Sequence, residues 1–156
     1  MFEFFAYKLL KNYKNNLNTF NIIFDHTTIE DRFIILQFSL KIGKRAVPLW
    51  YKVFRYKQDE NKYFKHVKEG LNFLHKILSP YKYKVIILAD RGFKSIDLFE
   101  FIDKTLKWKY CIRCTKDIKI FIDDNLKVEK LEDISTNKNN RTKYFYDIKL
   151  TSKNIL

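Results

Sequence analysis

The sequence predicts an α/β fold: one mixed sheet with flanking helices. Three observations predict it. Three β-branched and aromatic runs with short connections come first, at 20–25, 33–40 and 46–54. An amphipathic helix follows over 62–78, and after it comes the continuous apolar run Val85-Ile86-Ile87-Leu88-Ala89, ending in Asp90. The chain has 156 residues, enough for one compact domain, and 46% of them are apolar, which excludes disorder by composition.

Leu9, Leu10, Tyr13 and Leu17 recur at helical spacing among Lys and Asn, which predicts a helix over 3–17 closed by an Asn-rich break. Phe20 to Asp25 reads as a short strand with Asp25 at its C-terminal end. Phe33 to Leu40 and Ala46 to Phe54 read as two more strands, joined by a turn at Ile42-Gly43-Lys44, so the three form an antiparallel meander. Over 62–78, Phe64, Val67, Leu71, Leu74, Ile77 and Leu78 share one helical face, and Ser79-Pro80 stops the helix. That helix supplies the crossover which makes the next strand, Lys84 to Asp90, parallel to the first and buried on both faces. Arg91-Gly92-Phe93-Lys94 turns the chain, and Ser95 caps a helix carrying Ile96, Leu98, Phe99, Phe101, Ile102 and Leu106. Trp108 to Cys114 gives a fifth strand. Beyond it, the patches Ile118 to Ile122 and Tyr144 to Leu150 read as a hairpin around the polar stretch 135–143.

Thirty-one Lys and Arg against 18 Asp and Glu leave a formal charge of +13, which points to a polyanionic partner, nucleic acid first and an anionic membrane surface second. The abundance of Lys, Asn and Ile is also what an A/T-rich coding sequence produces. The longest apolar runs span about five residues against the roughly 20 that a membrane helix needs. Glu3 and Lys8 interrupt the greasy start well short of an export signal. With two cysteines three positions apart there is no disulfide framework, and a reducing cytoplasm is the expected compartment.

Asp25 and Asp90 each follow an apolar strand, and strand ends are where α/β sheets place ligand and catalytic groups. Two carboxylates held side by side repel each other unless they share a divalent cation; hard oxygen ligands suit Mg²⁺ or Mn²⁺. Spacing alone equally allows two turn residues. The residues around both positions decide between these readings. Asp25-His26-Thr27-Thr28 with Asp31-Arg32-Phe33, then Gly43-Lys44-Arg45-Ala46-Val47-Pro48-Leu49, then Ala89-Asp90-Arg91-Gly92-Phe93, then Trp108-Lys109-Tyr110-Cys111-Ile112-Arg113, come in the order seen in insertion-sequence DDE transposases. The sequence resembles the IS-four-like group of that family over roughly residues 20–117, and the Asp-Arg-Gly-Phe tetrapeptide is the most specific part of the match.

The resemblance implies an RNase H-like mixed sheet of five strands, the first three antiparallel and the fourth beside the first. It implies that Asp25 and Asp90 are the first two members of a metal-binding Asp-Asp-Glu triad. In the family, Mg²⁺ or Mn²⁺ on these acids promotes nicking at the element's end and attack by the freed 3′ hydroxyl on target DNA. Lys44, Arg45, Arg91 and Lys94 become candidate phosphate contacts. The partners it implies are element-end and target DNA, with a second copy or a full-length transposase as a protein partner, in the bacterial nucleoid and away from membranes. The domain division expected is 1–19 as an N-terminal helical segment, 20–116 as a partial core, and 117–156 as the start of a β-rich insertion.

The family's third acid lies on a later helix, in a signature of Tyr, Arg three residues on, Glu four further and Lys seven beyond. Tyr110, Arg113 and Asp117 imitate its first three members, but position 124 is Asp. The expectation is therefore that the Glu lies past residue 156 and that the chain alone is inactive, with Glu100, Asp117 and Asp124 as substitute ligands if it is not. Two other readings stay open: a nonenzymatic DNA-binding or dimerising remnant, and a standalone RNase H-like nuclease. Cys111 and Cys114 have the spacing of a zinc half-site, but there is no second pair, and His26, His66 and His75 are scattered. Trp50 and Trp108 are expected in the core.

Overall fold

The computed structural model describes residues 2–13, 18–55, 62–93, 95–113, 119–122, 127–130, 149–151 and 154–155. They fall in two units, Met1–Arg113 and Cys114–Leu156, each described here by itself. The first contains α1 (Phe2–Asn12), β1 (Thr19–Ile29), β2 (Phe33–Ile42), β3 (Arg45–Arg55), α2 (Tyr63–Leu78), β4 (Lys84–Ala89), α3 (Ile96–Glu100) and β5 (Lys109–Ile112). Its sheet has the order β3-β2-β1-β4-β5. β1, β2 and β3 pair antiparallel, while β4 runs parallel to β1 and to β5. This is the mixed five-stranded α/β sheet of an RNase H-like fold.

One face of the sheet is packed. Phe20, Ile22 and Phe24 of β1, Leu36, Phe38 and Leu40 of β2, and Val85 and Ile87 of β4 are buried in one cluster with Val67, Leu71, Leu74, Ile77 and Leu78 of α2. The period-2 alternation of the strands meets the 3.6-residue period of the helix there. Gly70 sits on the inner side of α2, where a Cβ would come within 2.8 Å of Trp50 Cε3 and 2.5 Å of Phe38 Cε2, so helix and sheet approach through the missing side chain. α1 joins the cluster through Ala6 and Leu10. β3 lies at the edge and carries Pro48 next to a bulge, opposite the Phe38/Ser39 step, where a missing N–H is tolerated. The extra residue, Leu49, is fully buried.

Several expectations need correction. α1 ends at Asn12 rather than at 17; Leu17 is outside the described residues. β1 runs on to Ile29, so Asp25 is not at its C-terminal end. The short β-branched run marked only the half of β1 that β4 also covers, while Asp25 to Ile29 continue pairing with β2 alone and are exposed. β4 buries Val85 and Ile87, whereas Ile86 and Leu88 on its other face are half-buried, because no described element packs there. Ser95 stands at the N-cap position of α3, but its hydroxyl makes no capping bond; its carbonyl accepts from Phe99 N–H at 3.0 Å. The single helix expected through Leu106 changes to a π-helical turn over Phe101–Thr105, and Leu106 N–H donates to Phe101 O at 3.1 Å. The wider turn lets Leu98, Ile102 and Leu106, spaced by four, all face inward and be buried.

In the second unit, β6 (Lys119–Ile122), β7 (Lys127–Lys130), β8 (Lys149–Thr151) and β9 (Asn154–Ile155) form a sheet in the order β7-β6-β8-β9. The expected pairing of 118–122 with 144–150 is present as Phe121 opposite Lys149. β7 was missed, and β6 makes its longer antiparallel ladder with it; Lys127 to Lys130 alternates charge with a single Val and so carries no apolar run. The polar stretch 135–143 lies outside the described residues.

The β1–β2 turn gives a stability test. Glu30 and Asp31 have φ of 50° and 51°, and Arg32 N–H donates to Ile29 O at 2.9 Å, the pattern of a type I′ turn without its favoured residues, inside a three-residue connection that sets Ile29 opposite Phe33. Glu30→Asn with Asp31→Gly is expected to stabilise the chain by about 1 kcal/mol in urea denaturation. An unchanged midpoint would mean that the turn relaxes away from this conformation.

Candidate functional site

The site is built by strand register. Phe24 pairs with Ala89 across the parallel β1–β4 pair, and Ala89 with Ile112 across β4–β5. The next residues on the three adjacent strands are Asp25, Asp90 and Arg113. Neighbouring strands lie about 4.8 Å apart, so the two carboxylates are brought side by side at the level where β4 ends. One row back are Ile23, Leu88 and Cys111, also register partners and on the same face by alternation. These six residues, with Phe24, Ala89 and Ile112, line an open depression of about 550 Å³.

Backbone donors orient the acids. His26 N–H donates to Asp25 Oδ1 at 2.8 Å, and Arg91 N–H donates to Asp90 Oδ1 at 2.7 Å. Among the described residues the second oxygen of each carboxylate accepts no hydrogen bond. Arg113 Nη1 lies 3.6 Å from Asp90 Oδ1, and Arg113 N–H donates to Ala89 O at 3.1 Å, carrying the strand pairing one residue further. Beneath the acids, Phe24 stacks on Phe38 at 4.6 Å and meets Phe93 at 4.0 Å, so the strand bearing Asp25 is anchored by buried rings.

His26 turns away from Asp25, as adjacent strand residues must. Its ring packs edge-on against Phe93 at 4.9 Å, and Tyr63 Oη lies 2.8 Å from its Nδ1. Burial, and then the negative charge of Asp25, hold the Tyr63 phenol well above its ordinary pKa. The phenol and Nδ1 are within hydrogen-bond distance, which ties α2 to β1 next to Asp25. This pairing of α2 with β1 was not legible in the sequence, because the two residues lie 37 positions apart.

The structure brings Asp25, Asp90 and Arg91 together and leaves two other candidates apart. Leu40 faces Ile22, so the turn carrying Lys44 and Arg45 lies beyond Phe20, about 17 Å along the strand from Asp25. Both are exposed. Lys94, Cys114, Asp117 and Asp124 are outside the described residues. Glu100 is paired with Lys104 at 2.9 Å, and among the described residues no group of three or more His, Cys, Asp and Glu could hold a metal ion. Cys111 is exposed on β5. Trp108 is buried and Trp50 packs on Phe38, as expected of core residues. Arg113 is the site residue that the sequence did not single out for this role: the fifth strand was expected to run from Trp108 to Cys114, and only its observed end at Ile112 puts Arg113 in line with Asp90.

Two carboxylates with one free oxygen each are a suitable donor set for Mg²⁺ or Mn²⁺, which take oxygen ligands and retain several waters. No helix among the described residues is long and apolar enough to cross a membrane. Nothing matches among the curated proteins or among the solved structures. A family model does match: Transposase DDE domain, over residues 38–154, a stretch that contains Asp90 and Arg113 and begins after Asp25. With the model covering most of its length, and with the mixed sheet that this family's fold requires, the chain belongs to the DDE transposases, a family that acts on DNA in transposition.

Proposed function

We propose that this chain forms the catalytic core of an IS-four-like insertion-sequence transposase, with Asp25 and Asp90 as two of the three carboxylates that hold Mg²⁺ or Mn²⁺ against DNA. The observation that carries the reading is the register of Phe24 with Ala89, which sets both acids at one level of a parallel strand pair. A pair of divalent cations bound there would supply activation of an attacking oxygen and charge stabilisation of the leaving one. The chain's own contribution is orientation: the His26 and Arg91 amides each hold one oxygen of a carboxylate that lines the depression. The reaction is nicking at an element end, followed by attack of the freed 3′ hydroxyl on target DNA.

Arg91 and Lys94 contact phosphates next to the acids, while Lys44 and Arg45 meet the duplex at the far end of β1. That span of about 17 Å corresponds to about five base pairs. Residues 1–19 precede the core of 20–116, and 117–156 belong to a β-rich insertion, a reading supported by the four strands described there. The third carboxylate comes from outside the described residues. The site of action is DNA in the bacterial nucleoid.

The purified chain is expected to bind supercoiled plasmid, and without a third carboxylate beside Asp25 and Asp90 it does not nick or join the DNA with Mg²⁺ or Mn²⁺. Robust nicking that Asp90→Asn abolishes would overturn the missing-ligand argument and place a third acid within the chain, with Glu100, Asp117 and Asp124 to be replaced first. The formal charge of +13 also supports a second reading, a nonenzymatic DNA-binding protein. Salt-dependent plasmid binding unaffected by Asp25→Asn plus Asp90→Asn, with no cleavage, would favour it. Metal-dependent cleavage of unrelated DNA or RNA would instead favour an RNase H-like nuclease.

A further inference from the structure

We infer that Arg113 is a phosphate anchor of this site, its guanidinium binding the DNA phosphate that lies against Asp25 and Asp90. The inference rests on the transposase reading and adds a cation to it. Arg113 follows Ile112 of β5 as Asp90 follows Ala89 of β4 and Asp25 follows Phe24 within β1, and those three preceding residues are register partners. Its Cα is fixed by the hydrogen bond from its own N–H to Ala89 O, so the side chain starts from a rigid strand end. That side chain is 75% exposed, and its 3.6 Å approach to Asp90 is too long for a hydrogen bond. Among the described residues the guanidinium donates no hydrogen bond; its ion pair is the one with Asp90, and Arg113 lines the depression.

Electrostatics gives that arrangement a use. A phosphodiester that comes up to two adjacent carboxylates is repelled by both. A guanidinium in the same row offsets the repulsion, and its planar fork matches two phosphate oxygens, which an ammonium cannot do. Arg91 is placed differently: its backbone N–H is the group that serves Asp90, and it stands past the end of β4 rather than in the row. The apolar floor of Ile23, Leu88 and Cys111 behind the row offers no competing acceptor side chain.

The test is equilibrium binding of a fluorescent 20-base-pair duplex by the full chain across a salt series, in the wild-type and Asp90→Asn backgrounds. Arg113→Ala is expected to weaken binding about 10-fold in both, and to reduce the slope of log K against log salt by about one. Arg113→Lys is expected to restore the slope but only part of the affinity, since it keeps the charge and loses the fork. An Arg113 that merely neutralises Asp90 predicts a different result: the effect of Arg113→Ala would vanish once Asp90 is Asn, and that outcome overturns the inference. Wild-type binding that is indifferent to Arg113→Ala rejects the inference alone. Wild-type chain that fails to bind the duplex even at low salt rejects the transposase reading and the inference together.

Discussion

Replacing Asp25 and Asp90 together by Asn is expected to abolish Mn²⁺ binding by the folded chain at millimolar metal. The two carboxylates are the hard-oxygen donors that strand register brings together, and each keeps one oxygen without a hydrogen-bond donor among the described residues. Asn retains a carbonyl oxygen but no charge, so each single replacement should weaken binding at least about 10-fold and the pair should eliminate it. The metal-free double variant should be no less stable than the wild type. Like charges on neighbouring strands cost a few tenths of a kcal/mol, and removing them returns that amount. Electron paramagnetic resonance of free Mn²⁺ and a urea denaturation curve read the two quantities separately. Mn²⁺ binding retained by the double variant would move the metal site away from β1 and β4.

Gly70→Ala is expected to be the most damaging one-carbon addition to the described core. In an open helix the change would stabilise by about 1 kcal/mol. Here the added Cβ meets Phe38 at 2.5 Å and Trp50 at 2.8 Å, and Phe38 is fully buried and stacked on Phe24. Overpacking of this kind costs about 1–3 kcal/mol or more, enough to outweigh propensity, and a net loss of about 2 kcal/mol should lower the melting temperature by about 5–10 °C. The damage would reach the site, because Phe24 directly precedes Asp25. Calorimetry together with the Mn²⁺ titration checks both effects. A neutral Gly70→Ala would show that α2 can lift from the sheet without loss, and would remove close helix approach as the reason for the glycine.

The apolar patterns of 33–40, 46–54 and 62–78 became β2, β3 and α2 with ends shifted by a few residues, because each buries one face against the same core. Where burial stopped, the pattern stopped too. The exposed half of β1, from Asp25 to Ile29, is held by backbone bonds to β2 and has no buried alternation from which a strand could be read. The π-turn at Phe101–Thr105 was hidden for a related reason: leucine and isoleucine spaced by four suit an α-helix as well, and only the packed end shows which turn closes. Charge misled locally. Lys44 and Arg45 share a motif with the acids in the chain but are carried to the other end of the sheet by an antiparallel strand.

The sequence by itself determined the order of elements from α1 to β5 and the two acids that follow its apolar runs, because periodicity and turn chemistry are local and each element states its own. What lies beside what was left to the tertiary structure. Parallel pairing of β1, β4 and β5 aligns Asp25, Asp90 and Arg113, residues up to 88 positions apart in the chain, into one row. α2 brings Tyr63 to His26 across another loop. Register is a property of pairs of strands, set by which side chains must be buried together, and no single segment of the chain contains it.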